Sequence, residues 1–306
     1  MPAARLRFRR PLLPDGSDGL RLQVREFLLG QEFEPSPNGW LTGFDPEFSR
    51  RLGARGWVGM SWPEHYGGGG RSLLDQHVVA EELLAAGAPL AAHWVSERQV
   101  GPLLLRHGSE ELKRHFLPAM ARGECCFCAG ASLGIEARPV TGGYLVTGRQ
   151  TAVGPAARAR YLLALVQTLA GPSQLIVDLG SGLEPDGGEV ALREVFVPQA
   201  MLLGREGEGL AYLQARLVLE RAGPERFLGS FPLLRRLLEV PAADEVVGRL
   251  TARLWGLRRL SLSVAGALEA GESPTAEAAA LNELTSAFAE AVADAARRHG
   301  LTAAGR

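Results

Sequence analysis

The spacing of apolar residues changes period twice along this chain, and that change limits the folds open to it. Up to about residue 122 the spacing is helical. Asp45 followed by Pro46 predicts a helix start, with Phe48 and Leu52 on one face and Gly53 as the stop. Ser72, with Asp75 three residues later, opens another helix in the manner of a capping box. Val79, Leu83 and Ala86 follow helical spacing there, and Gly87 and Pro89 end it. Ser96 and Gln99 open the next helix, closed by Gly108, and Ser109 caps a further one through Leu112 and Phe116. Residues 61–70, with Trp62, Pro63 and four glycines, read as a loop.

From Cys125 to about Pro198 the pattern becomes strand-like, in short runs broken by Gly, Pro and Asp. Residues 144–147, 161–168, 174–179 and 190–197 are the clearest of these, and they predict a small antiparallel β domain. Helical spacing returns after residues 204–209. Val247, Leu250, Leu254, Leu257, Ser261, Val264 and Leu268 recur at three and four residues, as on a bundle face. Pro274 starts a last helix with Leu281, Leu284 and Phe288 on one side, and Arg297, Arg298 and Gly300 end it.

Several function classes find no support. The net charge is −1, so no charge imbalance points to nucleic acid or an acidic membrane. No apolar run reaches the ~18 residues of a membrane span. Arg5, Arg7, Arg9 and Arg10 precede no long apolar stretch, which argues against a secretory signal; they read as a solvated tail, with an Arg-rich, acid-poor transit peptide as the alternative. The three cysteines, Cys125, Cys126 and Cys128, fit no zinc spacing and read as small buried strand residues, which suits a reducing cytoplasmic location. His77, His93, His107 and His115 show no metal-ligand spacing and read as surface or satisfied core residues. The glycines at 67–70 follow no strand and lack the Lys-Ser/Thr end of a phosphate-binding loop.

Three segments resemble the acyl-CoA dehydrogenase family. GWVGMSWPEHYGGGGRSLLDQHVVAEEL, at 56–83, resembles its N-terminal loop and helix. RHGSEELKRHFLPAMARGE, at 106–124, resembles its approach to the β domain. EVFVPQAMLLGREGEGL, at 194–210, running on into LVLERAGPERF, resembles its passage into the C-terminal bundle. The resemblance implies an α+β, mainly α fold. Its parts are an N-terminal helical domain (1–122), a small antiparallel β middle domain (123–204) and a shortened C-terminal helical bundle (205–306). It also implies FAD and the α,β-desaturation of an acyl-CoA thioester, as in fatty acid or steroid side-chain β-oxidation. In that chemistry a carboxylate takes the α-proton and the β-hydrogen leaves as hydride. Glu220 matches the position of the base in part of the family, within LERAG. Helical arithmetic puts it at the edge of the stripe of Leu210, Leu213 and Leu217, where a carboxylate is half buried. On the residues alone, Glu220 reads first as the partner of Arg216 in an exposed pair four residues apart, and only the resemblance brings the base reading level with it. Arg221 matches an arginine near the family's acyl-CoA pocket, and reads equally as a surface residue.

The same resemblance exposes departures. The family follows its first strand with a run like T/S-E-P-x-A-G-S-D that holds the flavin. Here Ser132 survives as the candidate cofactor contact, Leu133 stands at the glutamate position, and the segment is shortened. A later family run places a Trp and a hydroxyl against the flavin ring, where this chain has Ala152 and Val153. An R-x-x-F-G run and the C-terminal E-I-x-R-type helix, both cross-subunit FAD elements, are also lacking. The expectation is a chain that holds FAD weakly, or only with a partner subunit. Three readings follow: one subunit of a dehydrogenase working with a fuller partner, a non-catalytic relative that binds acyl-CoA or a partner protein, or a homo-oligomer that holds flavin by other residues. Oligomerisation is expected in each, because the stripes Leu250, Leu254, Leu257 and Leu281, Leu284, Phe288 would have less of their own chain to bury against.

Overall fold

The computed structural model describes residues 6–9, 12–130, 132–180 and 189–301. Arg5, Arg10, Arg306 and the side chain of Val153 lie outside the described residues. Helices come first: α1 (Ser17–Leu29), α2 (Gly39–Thr42), α3 (Pro46–Ala54), α4 (Leu73–Ala85), α5 (Gly101–His107) and α6 (Glu110–Ala121). Strands follow: β1 (Phe127–Gly130), β2 (Ile135–Val140), β3 (Gly143–Val153), β4 (Tyr161–Thr168), β5 (Gly171–Asp178), β6 (Glu189–Pro198) and β7 (Leu202–Leu203). The chain then returns to helix in α7 (Gly209–Ala222), α8 (Glu225–Leu228), α9 (Phe231–Leu237), α10 (Asp244–Glu269) and α11 (Thr275–Arg298).

Three expected caps form. The Asp45 carboxylate accepts from the Phe48 amide at 2.9 Å, Ser72 from Asp75 at 2.9 Å, and Ser109 from Leu112 at 3.2 Å. Each satisfies an amide that the first helical turn leaves without a partner. Ser96 does not cap. It begins a π-helical stretch, Ser96–Val100, that leads into α5. Its hydroxyl donates to the Cys125 carbonyl at 2.8 Å and accepts from the Phe127 amide at 2.9 Å. The serine thus ties the helical segment to β1 rather than starting a helix.

The chain packs as two compact units. One comprises Phe44–Gly70 and Leu90–Leu217, the other Met1–Gly43, Arg71–Pro89 and Val218–Arg306. The first holds the sheet, whose strand order is β1-β3-β2-β4-β5-β7, with β6 on β3 and β1 also paired to β4. It is not purely antiparallel. β1 and β2 each run parallel to β4. The β2–β3 hairpin separates β1 from β4 in sequence and supplies the crossover that parallel neighbours require. Both faces of the sheet are covered. Leu163 joins Phe116, Met120 and Phe127 against the helices, while Leu162 and Ala164 turn to Cys128, Val146 and Val177 on the other face. That is the period-two alternation of a strand with apolar surroundings on both sides. The glycine-rich loop closes on the buried Trp62. A Cβ at Gly68 would lie 2.2 Å from the Trp62 carbonyl oxygen, and one at Gly101 2.2 Å from the Trp62 ring.

In the second unit α4 packs against α1, α8 and α10, and α11 packs against α8, α9 and α10. The two apolar stripes are largely consumed there. Leu250, Leu257, Leu281 and Phe288 are buried, Leu254 and Leu268 are half-buried, and Leu284 is 48% exposed. The exposed surface that motivated the oligomer expectation is therefore mostly internal to this unit.

Candidate functional site

The site begins at the end of β1. Gly130 pairs with Ala152 of β3, which brings Gln150 beneath it. Gln150 is 1% exposed. Its Nε2 donates to the Leu165 carbonyl at 3.0 Å and to the Ser132 carbonyl, and its Oε1 accepts from the Leu165 amide at 3.3 Å. The carboxamide fills the space a side chain at Gly130 would take: a Cβ there would lie 1.7 Å from Oε1.

Arg216 closes the same place from α7. It is wholly buried; its Nη2 donates to the Gly130 carbonyl at 2.8 Å and its Nη1 to Gln99 Oε1 at 3.0 Å. Arg216 is thus no member of an exposed pair. A guanidinium buried this way is retained only with hydrogen-bond acceptors around it, and the π-helical stretch presents Gln99 as one. Ser132, the expected cofactor contact, is exposed, and Ala152 is half-buried.

Glu220 and Arg221 lie in the other unit, at the end of α7. The Glu220 side chain is 11% exposed, and its Oε1 accepts from Arg226 Nη2. Arg226 Nε also donates to the Glu220 carbonyl at 3.3 Å, and its guanidinium lies 5.9 Å from the centre of the Trp40 ring. Arg221 is half-buried. The half-buried setting expected for Glu220 is present; Arg226 is a partner that the sequence did not single out.

Other ionisable groups serve packing. His93 Nδ1 lies 2.8 Å from Ser49 Oγ, but both are buried, and burial pushes the imidazole down to about 4. Burial pushes the thiols of Cys125 and Cys128 up to about 12, and that of Cys126 up as well, so none is poised as a thiolate at neutral pH. Among the described residues no cluster of three metal-ligating side chains exists, and no helix is long and apolar enough to cross a membrane.

Gln150 and Arg226 were not singled out from sequence, while Gln99 was read only as part of a helix start and Arg216 only as an exposed partner of Glu220. Arg216 left a trace, since it lies three and four residues after the apolar Leu213 and Tyr212, on their face of the helix. Gln150 left none, because a polar residue in a strand reads as solvent-facing.

The helices, then a sheet, then helices again, follow the order that the resemblance to acyl-CoA dehydrogenases implies. A family model described as "Acyl-CoA dehydrogenase, N-terminal domain" matches residues 15–124. The acyl-CoA dehydrogenase FadE29 of Mycobacterium tuberculosis is 32% identical over 227 residues, 64% of this chain and 58% of that protein. FadE34 of the same organism is 27% identical over 288 residues, 81% of this chain and 40% of that one. The chain thus spans about half the length of these curated relatives. Among solved structures, the Tcur3481-Tcur3483 steroid acyl-CoA dehydrogenase superposes with a TM-score of 0.78 at 24% identity, over 92% of this chain and 84% of its own. The acyl-CoA dehydrogenase of Geobacillus kaustophilus gives 0.79 at 21%, over 95% and 90%. Residues 15–124 thus match the N-terminal domain of acyl-CoA dehydrogenases, and the chain as a whole is similar to members of that family.

Proposed function

We propose that the chain is an acyl-CoA dehydrogenase-type subunit for α,β-desaturation of an acyl-CoA thioester that works with a fuller partner subunit, and that the partner supplies the FAD site. The observation that carries this reading is the closed end of β1. The family generally binds FAD, but the residues present here do not fit it. Gln150 and Arg216 occupy the space about Gly130. Ala152 offers no ring to stack on a flavin, and Ser132 is left as one hydroxyl on the surface. The Tcur3481-Tcur3483 neighbour is named for two gene products, which agrees with a two-chain assembly. Co-purification of the tagged chain from its native host tests the proposal. The expected result is a second, longer acyl-CoA dehydrogenase subunit and acyl-CoA oxidation only by the pair. Turnover by this chain alone would contradict it.

A second reading concerns Glu220. A half-buried carboxylate beside Arg221 suits a base near an anionic acyl-CoA, and Glu220 is assigned that role within the assembled pair. Arg221 is the cation assigned to the substrate.

A further inference from the structure

One guanidinium holds both ends of one glutamate. Arg226 Nη2 donates to Glu220 Oε1, and Arg226 Nε donates to the Glu220 main-chain carbonyl at 3.3 Å. The helical partner of that carbonyl would be the amide four residues on. That residue is Pro224, which has no N–H. Arg226 therefore satisfies a carbonyl that the end of α7 leaves open, and with the same planar group it takes the carboxylate of the same residue. The side-chain torsions of Glu220 are closed in a ring between the two contacts. An ordinary exposed pair meets only at its charged ends.

Arg226 is itself held. Its guanidinium lies 5.9 Å from the centre of the buried Trp40 ring, within reach of a cation–π contact. The Asn38 amide donates to the Gly229 carbonyl at 2.7 Å, which fastens α2, and Trp40 with it, to the end of α8. On the other side of Arg226, the buried Glu225 packs its carboxylate on the turn from α7: a Cβ at Gly223 would lie 1.8 Å from Glu225 Oε2. The turn is thus fixed before and after the arginine.

We infer that Arg226 is a positioning residue for the proposed base: it clamps Glu220 by its carbonyl and Oε1 and leaves Oε2 as the oxygen that takes the α-proton. Among the described residues Oε2 accepts no hydrogen bond. The inference rests on the reading of Glu220 as the base. A glutamate side chain left to rotate spends little time in reach of one C–H bond, and proton removal is fast only from a base held in near-attack geometry. An arginine suits the task because its fork spans two acceptors at once. A lysine ammonium carries the same charge at a single point and cannot span both in that geometry.

Exchange of the α-hydrogen tests this in the assembled pair. The pair is incubated in D2O with saturated thioesters from butyryl- to palmitoyl-CoA, and α-deuterium is read by mass spectrometry. The exchange reports proton removal apart from hydride transfer. Oε2 takes the α-proton, the electron pair passes to the thioester carbonyl, and a deuteron from solvent returns to the same carbon. Arg226→Lys lowers the exchange rate and kcat by about ten- to a hundredfold and leaves KM unchanged. Glu220→Asp keeps a carboxylate but is too short to close the clamp, so adding Arg226→Lys to it costs nothing further. Thermal melting checks the fold, and Arg226→Gln, which keeps one donor, carries the test where the lysine variant does not fold. Wild-type exchange in Arg226→Lys, as a pair of charges alone predicts, would overturn the inference while a loss of exchange in Glu220→Gln kept the base. A full further loss in the double variant would also overturn it, because Arg226 would then act apart from Glu220. Exchange that survives Glu220→Gln, or no exchange by the wild-type pair with any of these thioesters, would remove the base reading and the clamp with it.

Discussion

Glu81 is a buried carboxylate that gathers three basic side chains. Arg21 reaches it at 2.7 Å, Arg258 at 2.7 Å, and His77 Nε2 at 3.5 Å, so one side chain links α1, α4 and α10. Burial alone would raise its carboxyl, but His77 and Arg258 hold it well below the usual value of 4.5. Glu81→Gln leaves cations buried without their counter-charge and is expected to cost about 3 kcal/mol in urea unfolding at neutral pH. The pH dependence has a definite sign. The unfolded chain takes up this proton near its ordinary value and the folded chain takes it up at much lower pH. The contribution is complete above about pH 5 and is lost as the pH falls below that. Unfolding curves of wild type and Glu81→Gln should therefore converge in acid; a gap that widens as the pH falls would contradict the pairing. At Gly130 the expected effect is steric. Gly130→Ala places a methyl group against a carboxamide fixed by Leu165, at a cost of about 1–3 kcal/mol. Adding Gln150→Ala should recover part of that loss, and additive costs in the double variant would show that the two do not touch. For Glu220, Gln is the informative substitution in the assembled pair. As a base its loss lowers turnover by at least about a hundredfold, while breaking the half-buried pair with Arg226 costs only about 1 kcal/mol. Unchanged turnover with lowered stability would leave it the ion pair alone.

At the scale of elements, local chemistry was legible wherever one residue acts on its neighbours. Asp45, Ser72 and Ser109 were read as caps and are caps, because a hydroxyl or carboxylate three residues before a free amide has little else to do. β4 was read at its observed bounds because burial on both faces makes it a continuous apolar run. β2 was missed, since Glu136, Arg138 and Pro139 face solvent and hide the alternation of Ile135 and Ala137. Ser96 was misread for a different reason: its partners, Cys125 and Phe127, are 29 and 31 residues away, beyond any local rule. That misreading gives a prediction. Ser96→Ala leaves the Phe127 amide and Cys125 carbonyl buried without the hydroxyl, and should cost about 1–3 kcal/mol. Ser96→Thr keeps the hydroxyl and should restore part of it; equal stability of all three proteins in denaturant titration would remove the link between the π-helical stretch and β1. The site shows the same division. The departures around Ser132 and Ala152 could be read from local runs, whereas the side chains that close β1 come from three separate segments and could not.

For the whole molecule the proposal to test is that this chain holds FAD weakly, or only with a partner subunit. The proposal rests on the departures around Ser132 and Ala152 and on packing at the end of β1: Gln150 and Arg216 are buried, hydrogen-bonded and set against Gly130, so any group entering there would have to displace both. Removing either would leave buried polar groups without partners, which makes that displacement costly. The stripes on α10 and α11 that motivated the oligomer expectation are mostly buried within their own unit. The most direct test of the central claim is the visible absorption spectrum of the chain purified alone after incubation with excess FAD and removal of unbound flavin. The account predicts no flavin band and no FAD released on denaturation, with flavin appearing only when the fuller partner subunit is added. A yellow protein carrying one FAD per chain in the absence of any partner would contradict it.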